Sequence, residues 1–354
     1  MRIVILGLSI TSSWGNGHAT TYRGLVRALA ARSHEVLFLE RDTPWYASSR
    51  DLPAPPFGET HLYSTIDELK TQWADAVQAA DLVIVGSYVP DGIAVGEWAV
   101  RTAQGVTAFY DIDTPVTLAQ LARGDCAYLA PALVPRYDLY LSFAGGKVLD
   151  TLETQWHARR ARPFLCAFDP DIYYPEAREA VWDLAYLGTY SDNRQPTLTR
   201  LLLEAAQQWP QGRFCVAGPQ YPPDIAWPAN VARVQHLPPD EHRTFYNSQR
   251  FALNVTRADM IALGWSPSVR LFEAAACAVP VISDWWTGLD DYFAPGKEIL
   301  VSRSPQETLG FLRDLPEPER QALGRAAHAR ALASHTSAHR AQELEQYVRE
   351  ACAS

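Results

Sequence analysis

Short apolar runs rich in β-branched residues recur along this chain, and each is followed by a stretch long enough for an amphipathic helix. No other feature constrains the fold as tightly, because strands separated by helix-length crossovers pair in parallel and lie beneath helices on both faces. The spacing predicts strands over Arg2 to Leu8, Glu35 to Leu39, Leu82 to Val85, Val106 to Tyr110 and Leu139 to Ser142 in the first half. Between Gly17 and Ala31, Tyr22, Leu25, Val26 and Leu29 fall at i, i+3, i+4 and i+7, one face of a helix. The alternation breaks at "FLCAFDPDIYYPEAREAVW", where Pro170, Pro175 and several acids leave no period. It then restarts with strands expected over Asp183 to Leu187, Arg213 to Val216, Val231 to Gln235, Phe251 to Val255, Val279 to Ser283 and Glu298 to Val301, and a helix over Gln195 to Gln208. From Pro316 onward the sequence reads as helix only.

A chain of 354 residues suits two such domains of roughly 150 to 180 residues each. The predicted division is 1–165, a linker over 166–178, a second domain over 179–335, and a C-terminal helix over 336–354 that packs back toward the first domain. The expected architecture is therefore α/β, two Rossmann-like doubly wound domains facing a cleft, with ligands at the carboxyl ends of the strands. A formal charge of -9 argues against a protein that grips nucleic-acid backbones. The five cysteines, Cys126, Cys166, Cys215, Cys277 and Cys352, are far apart and suggest neither a disulfide framework nor a zinc site. No apolar run approaches the ~18 residues that cross a bilayer, and "MRIVILGLSI" lacks a cleavage site, so a cytoplasmic protein with no transmembrane segment is expected.

The loops after the strands carry the candidate chemistry. Gly15 and Gly17 precede the first helix, where glycines admit a close ligand and a helix start attracts anions; a tight turn with a solvated His18 is the equal alternative. Asp111 and Asp113 follow the strand ending near Tyr110. Asp113-Thr114-Pro115 has the form of a helix start, which leaves Asp111 the freer carboxylate and the candidate catalytic group, with His18 as the competing base. Gly188, Thr189 and Arg194 in "YLGTYSDNRQ", Gly218 in "VAGPQY" and Arg257 in "NVTRADM" repeat a pattern of small or basic residues at strand ends, suited to phosphate. In "SPSVRLFEAAACAVPVISDWW", Arg270 and Glu273 are three apart on a helix starting near Pro267 and share a face, either as a local ion pair or as ligand contacts.

The stretch "SVRLFEAAACAVPVISDWWTGLDDYFAPGKEILV" resembles the donor-binding segment of GT-B glycosyltransferases. More closely, with "GNGHATTYRGL", "YDIDTPVTL", "YDLYLSF" and "YLGTYSDNRQ", it resembles the CgeB-type, spore-maturation-like branch of the family-four-like transferases. The resemblance implies that Glu273 holds the donor ribose and Arg270 lies beside the diphosphate. It also implies that Gly288 and Leu289 meet the sugar or phosphate, that Gly188, Thr189 and Arg194 bind phosphate, and that Gly15 and Gly17 approach the donor. Trp265 stands where the family carries a first glutamate, and Ala278 where glycine is usual. Asp-x-Asp is also a manganese motif in another, single-domain class of sugar transferases. The implied activity is metal-independent transfer of a sugar from a nucleotide-diphosphate-sugar donor to an unknown acceptor, with no cofactor. The rivals are a nucleotide-sugar epimerase of the same fold and a non-catalytic nucleotide-sugar-binding protein.

Overall fold

The computed structural model describes residues 1–15 and 17–353, and the chain divides into two compact units, Met1–Cys166 with Ser337–Ser354, and Ala167–Thr336. The first unit is built on a seven-stranded sheet of order β3-β2-β1-β4-β5-β6-β7, every pairing parallel. Its strands are β1 (Arg2–Gly7), β2 (Glu35–Arg41), β3 (Glu59–Tyr63), β4 (Leu82–Gly86), β5 (Val106–Asp111), β6 (Leu139–Ser142) and β7 (Ala161–Pro163). Every residue of β4, β5 and β6 is buried, which is why these runs are mostly apolar and do not alternate. The direction of winding reverses between β1 and β4, the position at which open sheets of this kind bind ligands.

The second unit carries β8 (Trp182–Leu187), β9 (Phe214–Ala217), β10 (Val231–Val234), β11 (Gln249–Asn254), β12 (Val281–Ser283) and β13 (Leu300–Val301). Their order is β10-β9-β8-β11-β12-β13, again all parallel, with the reversal between β8 and β11. The core beneath it gathers Leu184, Leu201, Phe214, Val216, Phe251, Leu253 and Ile282.

Two edge strands, β3 and β7, have no counterpart in the sequence reading. β3 reads ETHLY and buries only Tyr63 fully, so it shows neither an apolar run nor a clean alternation. The helix expected over Gln195 to Gln208 is present but contains a π turn at Thr199–Leu203. The last helix, Ser337–Cys352, belongs to the first unit. A Cβ on Gly24 of the His18–Ala31 helix would sit 2.4 Å from the Ser337 hydroxyl, and Glu345 accepts from Arg32 at 2.6 Å and contacts His34 at 2.8 Å. Among the described residues no helix is long and apolar enough to cross a membrane.

Candidate functional site

In the second unit the carboxyl ends of β8, β9, β11 and β12 are level, with Leu187 opposite Ala217 and Asn254 opposite Ser283. Arg270 enters this rim from the first turn of the Val269–Ala276 helix. Its Nε donates to the Leu187 carbonyl, its Nη1 donates to Asn254 Oδ1 at 2.9 Å, and its guanidinium lies 4.6 Å from the centre of the Tyr186 ring. Arg194 Nη1 donates to the hydroxyl of the same tyrosine at 3.0 Å. Burial pushes the Tyr186 phenol up, but the Arg270 and Arg194 charges outweigh burial and hold it below its usual value. Arg270 is buried and, among the described residues, forms no ion pair, an unusual state for a cation unless its site also receives an anion.

The glycines beside it leave no room for side chains. A Cβ on Gly188 would lie 2.7 Å from Arg270 Nη2, and one on Gly218, at φ +140°, would lie 2.1 Å from the Gly188 carbonyl oxygen. Thr189, half-buried, continues the same loop, and Arg257 precedes the Ala258–Leu263 helix just after β11.

Glu273 does not pair with Arg270. It is 5% exposed and accepts a hydrogen bond from Tyr246 at 3.0 Å, while the Tyr173 hydroxyl, which its charge also reaches, contacts His242 Nδ1 at 3.2 Å. Burial first, and then the carboxylate, push both phenols well above their usual range. The exposed local ion pair considered for these two residues is therefore absent.

Gly288 packs closely against an aromatic side chain. At φ +89° it opens the short Leu289–Tyr292 turn, and a Cβ there would sit 2.4 Å from the Trp265 ring, so the close approach it permits is made by that indole. Trp265 is held in place by its Nε1 donating to Asp291 at 2.6 Å and by Tyr292 donating to its carbonyl at 3.0 Å. The Leu289 side chain is fully buried, which leaves its backbone as the part a ligand could meet. Sequence reasoning missed Tyr186, Tyr246, Asn254 and Asp284. Asp284, directly after β12, accepts from the Thr256 hydroxyl at 2.7 Å, and burial pushes its carboxyl up. An acid immediately following a strand was the available signal for it.

In the first unit Asp111 ends β5, and the freedom expected for it is not found. It is fully buried and accepts from Tyr140 at 2.6 Å, Thr117 at 2.7 Å and the Asp113 amide at 3.2 Å, while burial raises its carboxyl to about 6. Asp113 is the N-cap of the Thr114–Arg123 helix, as expected, but through its backbone: its carbonyl accepts from Val116 and Thr117, and its half-buried carboxylate accepts from Tyr88 at 3.0 Å. His18 begins the first helix with its ring edge-on to Tyr88 at 5.5 Å. Its Nδ1 is buried without a hydrogen-bond partner, and burial lowers the imidazole to about 4 against the opposing pull of Asp113. Gly15, at φ +64°, and Gly17 are exposed, and a Cβ at either would meet nothing within 4 Å.

Residues 194–346 match the model of a glycosyl transferase-like family. That segment begins at Arg194 and contains Arg257, Arg270, Glu273 and Gly288. No curated protein matches the sequence. Among solved structures, sucrose-phosphate synthase from Thermosynechococcus elongatus is 17% identical over 100% of this chain and 99% of its own, with a TM-score of 0.71. HepE from Anabaena in complex with UDP-glucose is 14% identical over 99% of this chain and 100% of its own, at 0.71. An alpha-glucosyltransferase in complex with UDP is 12% identical over 99% and 100%, at 0.70. At these identities the likeness is one of fold: two Rossmann-like units of GT-B type, as the sequence led us to expect.

Proposed function

We propose that this protein is a glycosyltransferase that moves a sugar from a nucleotide-diphosphate-sugar to an acceptor hydroxyl, of the CgeB-type branch that its sequence resembles. One observation carries the reading: two guanidiniums, Arg270 and Arg194, converge on Tyr186 at glycine-lined strand ends, within the segment that matches the glycosyl transferase-like family. A diphosphate set against this rim meets planar donors suited to its oxygens, with Gly188, Thr189 and Gly218 offering backbone at close range. As the bond to the sugar breaks, negative charge grows on the leaving phosphate, and Arg270, already desolvated and held by Leu187 and Asn254, stabilises it without reorganising. These arginines supply the positive charge that a divalent cation supplies elsewhere, so the reading is metal-independent and needs no cofactor. Glu273 accepts the ribose hydroxyls, and Arg257 lies on the same rim.

The acceptor's proton passes to His18. Its imidazole is held neutral by burial, and Asp113 nearby favours the imidazolium that forms. Asp111, sealed by Tyr140 and Thr117, becomes a positioning residue that fixes the end of β5 and the start of the next helix.

Thermal unfolding with UDP, GDP, TDP and their sugars tests the donor grip, since a ligand at about 100 times its dissociation constant adds roughly 2.7 kcal/mol. A rise with one nucleotide family, lost in Arg270→Lys, is expected, together with acceptor-dependent nucleotide release. An epimer formed from the donor alone would make the protein an epimerase. No rise with any nucleotide would overturn the reading.

A further inference from the structure

Arg233, in β10, is another half-buried cation that pairs with no carboxylate among the described residues. Its guanidinium lies 4.1 Å from the centre of the Tyr221 ring and 4.4 Å from that of Trp227, and it donates to the Val216 carbonyl and, at 3.1 Å, to the Gly218 carbonyl. The turn between Gly218 and Tyr221 is sharp. Gly218 has φ +140° and Gln220 φ +68°, the latter a conformation that few residues with a side chain adopt. This turn brings the Tyr221 hydroxyl back to the end of β8, where it donates to the Gly188 carbonyl at 3.1 Å.

That bond bears on the amide beside it. Beyond β8 the chain keeps the habit of a parallel strand, whose residues turn their backbone groups alternately to the two neighbouring strands. The Gly188 amide donates to Ala217 at 2.8 Å and the Tyr190 amide to Pro219 at 3.1 Å, and the Gly188 carbonyl accepts from Tyr221, all on the β9 side. On the β11 side the Leu187 carbonyl accepts from Arg270, which also holds Asn254 at the end of β11. Thr189 lies two residues past Leu187 and turns the same way. Among the described residues its amide has no hydrogen-bond partner, because β11 has already ended.

We infer that Tyr221 is a positioning residue for the leaving diphosphate: its hydroxyl fixes the Gly188–Thr189 peptide so that the Thr189 N–H stands on the Arg270 side as a donor to a phosphate oxygen. In a trans peptide the carbonyl and the following N–H point in opposite directions, so anchoring the one sets the other. Arg233 holds both ends of the turn, by its contact with the phenol ring and its bond to the Gly218 carbonyl. A donor oriented before the ligand arrives stabilises growing charge without reorganising. The inference rests on the transferase reading in naming the anion as the diphosphate of the donor.

Tyr221→Phe removes the hydroxyl and keeps the ring beside Arg233, so the variant should fold. Titration calorimetry of the full chain with inorganic pyrophosphate, with UDP, GDP and TDP, and with their parent nucleosides tests the role. Pyrophosphate and the preferred nucleoside diphosphate should weaken about five- to tenfold in Tyr221→Phe while the nucleoside is unchanged. Amide spectra of a chain isotope-labelled at threonine give a readout that a merely structural tyrosine would not move. Pyrophosphate should shift the Thr189 resonance, assigned by its absence in Thr189→Ser, and the shift should shrink in Tyr221→Phe. A diphosphate affinity indifferent to Tyr221→Phe, an equal loss for the nucleoside, or a Thr189 resonance that pyrophosphate leaves in place overturns the inference. Nucleoside diphosphate binding that is sensitive to Arg270→Lys but not to Tyr221→Phe would keep the transferase reading and remove this role from Tyr221. A Tyr221-dependent shift of Thr189 with pyrophosphate in a chain that binds no nucleotide would do the reverse.

Discussion

The guanidinium of Arg270 lies 4.6 Å from the centre of the Tyr186 ring while its Nη1 donates to Asn254 at 2.9 Å. One planar cation thus spans β8 and β11, the two strands at which the second sheet reverses its winding. Lysine offers a point charge and cannot hold both strands while presenting donors to a ligand. Arg270→Lys should weaken a nucleoside diphosphate by about 10- to 100-fold, the worth of a lost charge-assisted hydrogen bond, and leave the parent nucleoside nearly unaffected. Titration calorimetry with both ligands checks this. An equal loss for the nucleoside would mean that the strand ends themselves had deformed.

Glu273 makes a separate case, because its carboxylate is buried with Tyr246 donating to it at 3.0 Å. Removing one donor from a buried carboxylate costs its share of desolvation. Tyr246→Phe should therefore lower stability by about 1 to 3 kcal/mol, read as a shift in the urea midpoint without a change in slope. Glu273→Ala should weaken the nucleotide by about 2 kcal/mol or more, since it removes the proposed ribose acceptor. An unmoved midpoint in Tyr246→Phe would show that water already satisfies Glu273.

What could be read in advance followed from continuity along the chain. Val106–Asp111 and Leu139–Ser142 are legible as strands because burial on both faces favours mostly apolar runs without alternation. Arg270 stands out because a charge within an apolar, Ala-rich run needs partners when buried, and the fold supplies the Leu187 carbonyl and Asn254. Interior polar groups were not legible. Tyr186 and Tyr246 look like ordinary core aromatics until the fold brings Arg194 and Glu273 to their hydroxyls. Asp111 was misjudged for the same reason: its partners, Tyr140 and Thr117, are 29 and 6 residues away, and only the sheet register of β5 against β6 unites the first of them with it. Nor does the sequence show that a side chain at Gly288 would meet the Trp265 ring, a contact that only the folded chain makes.

Asp111 and His18 should impose opposite pH slopes on stability. A carboxyl whose usual value of 3.8 rises to about 6 in the fold keeps its proton there after the unfolded chain has lost it, so stability falls as pH rises between those values. An imidazole lowered from 6.5 to about 4 does the reverse: the unfolded chain binds the proton first, so stability rises with pH through that window. Each contributes about 3 kcal/mol at most, and in the native chain the two largely cancel. Asp111→Asn should unmask a rise in stability from pH 4 to 6.5, and His18→Gln a fall from pH 4 to 6. Urea unfolding across this range measures both; two flat profiles would contradict the burial of these groups.

His18 also carries the last expectation, because the same burial that lowers its pKa keeps it neutral and able to accept a proton in mildly acidic solution. A base works only while unprotonated, so the acid limb of kcat/KM should fall near pH 4, well below the 6.5 of an ordinary imidazole. The pH of that limb is the readout that a structural histidine would not set. His18→Ala should lower turnover by ~10² or more with nucleotide affinity unchanged, because His18 lies in the first unit and the proposed donor residues Arg194, Arg270 and Glu273 lie in the second. Asp111→Asn tests the competing assignment on the same assay. Its carboxylate is fully buried and already accepts from Tyr140 and Thr117, so its loss should act through position and cost less than the loss of His18. If Asp111→Asn abolished turnover while His18→Ala retained it and the acid limb followed the Asp111 carboxyl near pH 6, the base would be Asp111, reached by an opening of the Tyr140 and Thr117 bonds that seal it.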